Sequence, residues 1–151
     1  MTDSARRPDP GRRARSLARR LALQALYQLQ LNDLSWQDIH QQFMQDPEAE
    51  RVDRDYFRLL LAGIAGSREA LDAQLAALSE IPPAELDPIE HAVLWLGLHE
   101  LQQAPELPFR VVLAEALQLA RQFGATDGHK FVNAVLDRAA RDLRAAEYGT
   151  R

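Results

Sequence analysis

Five arginines crowd one short stretch near the N-terminus: Arg12, Arg13, Arg15, Arg19 and Arg20. Arginine presents a planar fork of N–H donors that meets a phosphate through two parallel hydrogen bonds, which the ammonium of lysine does not do. At about 100° per residue, Ala18, Leu21, Ala22, Ala25, Leu26 and Leu29 gather on one side of a helix. The arginines fall on its flank and far side, so burial of the apolar side would hold several guanidinium groups in a fixed geometry. Two uses fit this pattern: neutralising the phosphates of an anionic partner, or forming a solvated face paired with acidic neighbours. The arm has few carboxylates of its own, which favours the first.

A second constellation is Asp127-Gly128-His129-Lys130-Phe131-Val132-Asn133. With Asp127 or Thr126 as N-cap, His129 and Lys130 fall in the first turn of a helix, where the dipole disfavours cations. A cation there makes sense when an anion binds beside the free N–H groups of the helix start. Phe131 lies at the edge of the apolar stripe Val132, Val135, Leu136, Ala139 and Leu143. It can serve as a stacking platform for an unpaired base, or it can tuck beneath the preceding loop. The pattern alone leans to ordinary packing.

Charge is distributed to match. The 151 residues carry a net charge of −4, yet residues 1–20 hold seven arginines against Asp3 and Asp9, a net +5. The remainder has 11 basic and 20 acidic side chains, a net −9. A basic arm on an acidic body implies an anionic partner at one end and a different partner elsewhere. Lys130 is the only lysine among the eighteen cations. The absence of cysteine excludes disulfide scaffolds, cysteine zinc sites, iron–sulfur clusters and thiol nucleophiles.

Catalytic chemistry finds little support. His40, His91, His99 and His129 form no H-E-x-x-H pair, no phosphate-binding glycine loop is present, and no Ser–His–acid set can be paired. Asp53 and Asp55 are explained by helix capping and solvation. No enzyme activity, metal or cofactor is expected. The arginine-rich start has the composition of a mitochondrial presequence, but Asp3, Pro8, Asp9 and Pro10 are unusual for one, and the cytoplasm is the default location. No apolar run approaches the ~20 residues needed to cross a bilayer.

The elements that must position these residues are all helical. Residues 1–11 read as a disordered basic tail, and a first helix sets in at Arg12 and breaks at Asn32-Asp33. Ser35 caps a second, Trp36–Gln45, anchored by Trp36, Ile39 and Phe43. Asp53 caps a third carrying Tyr56, Phe57, Leu60, Leu61 and Ile64, with Gly63 and Gly66 permitting close packing or a kink. The pattern resumes through Leu71, Leu75 and Leu78. Ile81-Pro82-Pro83 is the strongest punctuation and marks a boundary between an N-terminal bundle, about 12–80, and a C-terminal one, about 84–145, of one domain spanning 12–151. Asp87-Pro88-Ile89-Glu90 opens a helix running to about Gln103. Phe109–Phe123 comes next, with Gly124 as C-terminal cap. The expected fold is all-α, six to seven helices in two small packed bundles.

Five strings, in order, resemble the NusB family of transcription antitermination factors. They are Ala18-Arg19-Arg20-Leu21-Ala22-Leu23-Gln24-Ala25-Leu26-Tyr27, Tyr56-Phe57-Arg58-Leu59-Leu60-Leu61-Ala62-Gly63-Ile64, Ile89-Glu90-His91-Ala92-Val93-Leu94, Glu115-Ala116 with Leu119-Ala120-Arg121-Gln122-Phe123-Gly124, and His129-Lys130-Phe131-Val132-Asn133 with Val135-Leu136-Asp137. They span roughly residues 12–143. The resemblance implies a non-enzymatic helical protein that binds the single-stranded boxA element of nascent RNA together with ribosomal protein NusE. The pair would help load other Nus factors onto RNA polymerase and support antitermination of ribosomal RNA transcription. By the same resemblance, Arg12, Arg13, Arg15, Arg19, Lys130 and Phe131 contribute to RNA binding. Glu90 and Asp127 lie toward NusE, Asp127 close to the RNA as well. The resemblance raises the stacking reading of Phe131 above the packing one.

Departures are present. Trp95 stands where the family often has arginine, His99 replaces a tyrosine, Gly97 and Ala134 exchange glycine and alanine, and Ala114 replaces asparagine. Because of Trp95, the contact or core ion pair that the resemblance would imply for an arginine is not carried over to this position. Two other uses stay open on sequence: an RNA-binding accessory domain of an RNA-modifying enzyme such as a methyltransferase, or a purely protein-binding adaptor whose arginines serve solubility. An amphipathic first helix can also pack on its own copy, as a homodimer.

Overall fold

Pro10 opens helix α1, which runs to Leu31 in the computed structural model, whose described residues are 10–149. The expected tail of residues 1–11 therefore yields its last two residues to the helix. Proline suits a first helical position because its φ is preset and no N–H is lost there. Residues 1–9, with Arg6 and Arg7, lie outside the described residues. The chain is all-α: eight α-helices, two short 3-10 turns and no strand among the described residues.

The chain divides into two compact units, Met1–Ala62 and Gly63–Arg151. In the first, the backbone and side-chain N–H groups of Asn32 both donate to the Gln28 carbonyl, at 2.9 and 3.2 Å, and close α1. Ser35 Oγ accepts from Asp38 N at 3.1 Å and starts α2, Trp36–Met44. Asp46 starts a 3-10 turn, Pro47–Glu50. Asp53 Oδ1 then accepts from Tyr56 N at 3.0 Å at the head of α3, Arg54–Ala65. The predicted stripe of α1, from Ala18 to Leu29, is buried throughout, and Leu23 beside it is buried too. Ile39 is buried with Phe57, whose ring stacks on His40 at 5.6 Å and meets Phe43 at 6.1 Å.

The second unit begins inside α3 rather than at Ile81-Pro82-Pro83. Helix α4, Arg68–Leu78, belongs with the helices on the C-terminal side of those prolines. Its Asp72 accepts from Trp95 Nε1 at 2.8 Å, and its Leu78 carbonyl accepts from Arg138 at 2.8 Å. The helix ends at Leu78, ahead of the prolines, with Ser79 as its C-cap, and Pro82 caps a 3-10 turn, Pro83–Glu85. Then come α5, Pro88–Gln103, α6, Phe109–Phe123, α7, Gly128–Leu143, and a short α8, Ala145–Tyr148.

Ten of the sixteen residues of α5 are buried, which makes it the central helix of this unit, packed against α6 and α7. Its Gly97 lets α7 come close: a Cβ there would stand 2.5 Å from Leu136 Cδ1. Gly63 likewise admits the His99 ring, 2.8 Å from where a Cβ would be, in line with the close packing expected of it. Burial lowers the His99 pKa, since desolvation disfavours the charged imidazolium. Gly124 ends α6 in an extended conformation (φ −87°, ψ −179°) rather than the left-handed one expected of a glycine cap, its N–H bonded to Ala120 O.

The short helix α8 has no counterpart among the expected elements, and it ties the unit together. Tyr148 stacks on Phe109 at 5.1 Å, and its hydroxyl donates to Asp137 at 3.0 Å. Pro108 offers no side-chain cap to α6, so Glu147 supplies one, its Oε2 accepting from Phe109 N at 2.7 Å. That hydrogen bond, with help from Arg144, holds the Glu147 pKa below its ordinary value. A depressed folded-state pKa adds stability that is present above the unfolded value and lost as pH falls through the folded one. Glu147→Gln should therefore flatten the fall of melting temperature between neutral and strongly acidic pH. Parallel profiles for the parent and the variant would refute the capping role.

Candidate nucleic-acid interface

Helix α1 has no acidic residue in its first turn, and Arg12 and Arg13 are there instead, both exposed. Cations at a helix N-terminus oppose the macrodipole. The arrangement stores positive potential that an anion would relieve, with the helix N–H groups and the guanidiniums acting in the same direction. Arg15, one turn along, is half-buried. Arg19 does not project with them. It is 3% exposed, and its guanidinium carbon lies 5.5 Å above the Tyr56 ring. The expectation that Arg19 faces an anionic partner is not met by this placement, because Tyr56 on α3 covers the flank of α1 from which it springs.

The connector after the 3-10 turn is pinned to α1 by one backbone hydrogen bond, Asp53 N to Ala14 O at 3.0 Å. This sets Arg51 and Val52 beside the arginine face. Arg13, Leu17, Arg20, Glu48, Arg51 and Val52 together line an open groove of about 630 Å³.

In the second unit, Asp127 occupies the N-cap position of α7 with a left-handed backbone, φ 69° and ψ −1°. It makes no side-chain capping bond, contrary to expectation. Its carboxylate instead pairs with Lys130 Nζ at 3.4 Å, and both side chains are largely exposed. The Glu90 carboxylate reaches the same loop, accepting a hydrogen bond from the Ala125 backbone N–H. It occupies the space a side chain at position 128 would enter, so any larger residue there would displace the Glu90 carboxylate. Burial, reinforced by Asp87 nearby and opposed by the Ala125 bond, raises the Glu90 pKa.

Phe131 is half-buried on the flank of the α7 stripe. Val132, Val135, Leu136 and Ala139 are buried as predicted. Leu143 is 39% exposed, and Ala140 takes the inward position. The structure thus gathers Glu90, Asp127, Lys130 and Phe131 around one helix start.

Sequence reasoning misses a further cluster in this unit. Asp72 Oδ1 accepts from Trp95 Nε1 and lies 2.7 Å from His91 Nε2, with the His91 and Trp95 rings 4.3 Å apart. The Arg68 guanidinium covers the indole at 5.4 Å. Only the pairing of α4 with α5 reveals this cluster. Among the described residues, no group of three histidines or carboxylates could hold a metal ion, and no helix is long and apolar enough to cross a membrane.

Known proteins share this sequence and this fold. The family model described as the NusB family matches residues 16–141. The chain is 45% identical to the transcription antitermination protein NusB of Marinomonas sp. (strain MWYL1) over 139 residues, covering 91% of this chain and 80% of that one. It is 46% identical to the protein of the same name from Hahella chejuensis (strain KCTC 2396) over 133 residues, 88% of this chain and 89% of the other. The solved structure of T. maritima NusB superposes with a TM-score of 0.78 at 23% identity, over 95% of this chain and 99% of that one.

Proposed function

The chain belongs to the NusB family, and we propose that it is a transcription antitermination factor that binds single-stranded, boxA-like RNA together with ribosomal protein NusE. The observation that carries this reading is the pair of exposed arginines, Arg12 and Arg13, in the first turn of α1. An isolated helix gains nothing from cations there; a phosphodiester backbone makes them favourable. Arg15 extends the same electrostatic surface. Arg19 acts on the RNA indirectly, by holding α1 against Tyr56.

Lys130 and Phe131 supply the second half of the chemistry. The ammonium meets a phosphate and the ring stacks on an unpaired base. The Asp127 carboxylate, exposed beside Lys130, and the half-buried Glu90 offer negative charge to basic NusE. Through that complex the chain engages other Nus factors and RNA polymerase, in the cytoplasm. Not catalysis but assembly is the output.

The base-stacking role has a direct test. Phe131→Ala should weaken binding of a boxA-like single strand by roughly 1–3 kcal/mol. The loss should persist at high salt, since stacking is not a counterion effect. Fluorescence anisotropy with labelled RNA at two salt concentrations measures both points. Unchanged affinity in a folded Phe131→Ala protein would return the ring to a packing role.

A further inference from the structure

The groove walled by α1 and the connector holds charge that the sequence pattern does not single out. Arg51 follows the Pro47–Glu50 turn, and nothing in its local sequence marks it. The structure places it with Arg13 and Arg20 in one groove whose only acidic lining residue is Glu48, so the lining carries a net +2. The placement is set by hydrogen bonds to main-chain carbonyls. Asp53 N–H donates to the Ala14 carbonyl, Arg51 N–H donates to the Glu48 carbonyl at 3.0 Å, and Arg54 Nε donates to the Ala49 carbonyl at 3.1 Å. These three ties anchor the wall from which the exposed Arg51 side chain extends. Arg13 belongs both to this groove and to the exposed first turns of α1, so the two positive surfaces are continuous.

We propose that this groove carries the phosphodiester backbone of nucleotides flanking the boxA element, with Arg51 as a phosphate-binding residue beside Arg13. The proposal rests on the RNA-binding reading given above. Its chemistry is backbone recognition: guanidinium donors and the apolar stems of Leu17 and Val52 fit a sugar–phosphate track, and no base-reading group is needed. The groove therefore lengthens the RNA footprint without adding sequence specificity.

The test compares three RNAs on the full chain: a minimal boxA-like strand, and the same strand extended by a few arbitrary nucleotides at either the 5′ or the 3′ end. The parent should bind one of the extended strands more tightly than the minimal one. A single-strand phosphate contact contributes a factor of salt concentration to the power of about −0.7, or about fivefold at roughly 0.1 M monovalent salt. Arg51→Gln should remove about that factor from the extended strand, lower its salt slope by about 0.7, and leave the minimal strand unaffected. Arg51→Lys should restore most of the slope, and thermal melting should show both variants folded. Equal affinities of parent and Arg51→Gln for the extended strands, with minimal binding intact, would overturn the groove assignment alone. Failure of the parent to bind any strand would overturn the RNA reading itself.

Discussion

Replacing Arg144 with alanine is expected to cost about 3 kcal/mol of stability and to lower the melting temperature by roughly 6–12 °C. The Arg144 side chain is only 8% exposed, and its guanidinium meets several main-chain carbonyls at once. It donates to Leu101 O at 2.9 Å, Leu107 O at 2.8 Å, Ala104 O at 3.0 Å and, more weakly, Glu100 O at 3.5 Å. These carbonyls lie at the C-terminus of α5 and in the loop beyond it, where helical pairing runs out; Glu100 O and Ala104 O also accept from Ala104 N and Leu107 N. A salt bridge to Glu147 at 2.7 Å couples the same group to the cap of α6. Glu147 is partly solvated, so the carbonyls rather than the ion pair carry most of the cost. Arg144→Lys should recover only part of it, because one ammonium cannot span four acceptors arranged around a planar fork. A thermal melt of Arg144→Ala that overlays the parent would contradict this account.

The second large effect falls on RNA. Replacing Arg12, Arg13 and Arg15 together with glutamine should weaken boxA-like RNA binding about a hundredfold at roughly 0.1 M salt and reduce the salt slope by about 2. Each of the three would otherwise neutralise a phosphate and release a counterion. Arg12 and Arg13 are exposed, so their substitution should leave the melting temperature nearly unchanged, while Arg15 is half-buried and any loss of stability in the triple variant should come from it. Arg19→Gln should behave in the opposite way. Its buried guanidinium over Tyr56 predicts a lower melting temperature with little change in salt slope. An unaltered slope in the triple variant would remove the arm from the RNA surface.

The contrast between Arg19 and its neighbours marks the limit of what is legible in the sequence. The stripe from Ala18 to Leu29 and the caps Ser35, Asp53 and Asp87 are legible, because periodicity and capping are local. Arg19 is not, because its burial depends on Tyr56, 37 positions along the chain and on another helix. Leu143 continues the apolar stripe by spacing, yet α7 ends there and the residue is exposed. Asp127 has the position of a capping aspartate, but its left-handed backbone sends the carboxylate to Lys130 instead. Arg51, Asp72 and Arg144 carry no local signal at all; their roles arise where separate segments meet. Helices are readable, and the long-range polar contacts that join them are not.

On the proposed function, RNA and NusE are linked ligands of one chain. The most direct test of this linkage is the affinity for a labelled boxA-like single strand measured across a titration of NusE. NusE should tighten RNA binding, and by linkage RNA should tighten NusE binding by the same factor. Charge reversal at Asp127 should reduce that factor. RNA affinity that stays constant at every NusE concentration would contradict the account.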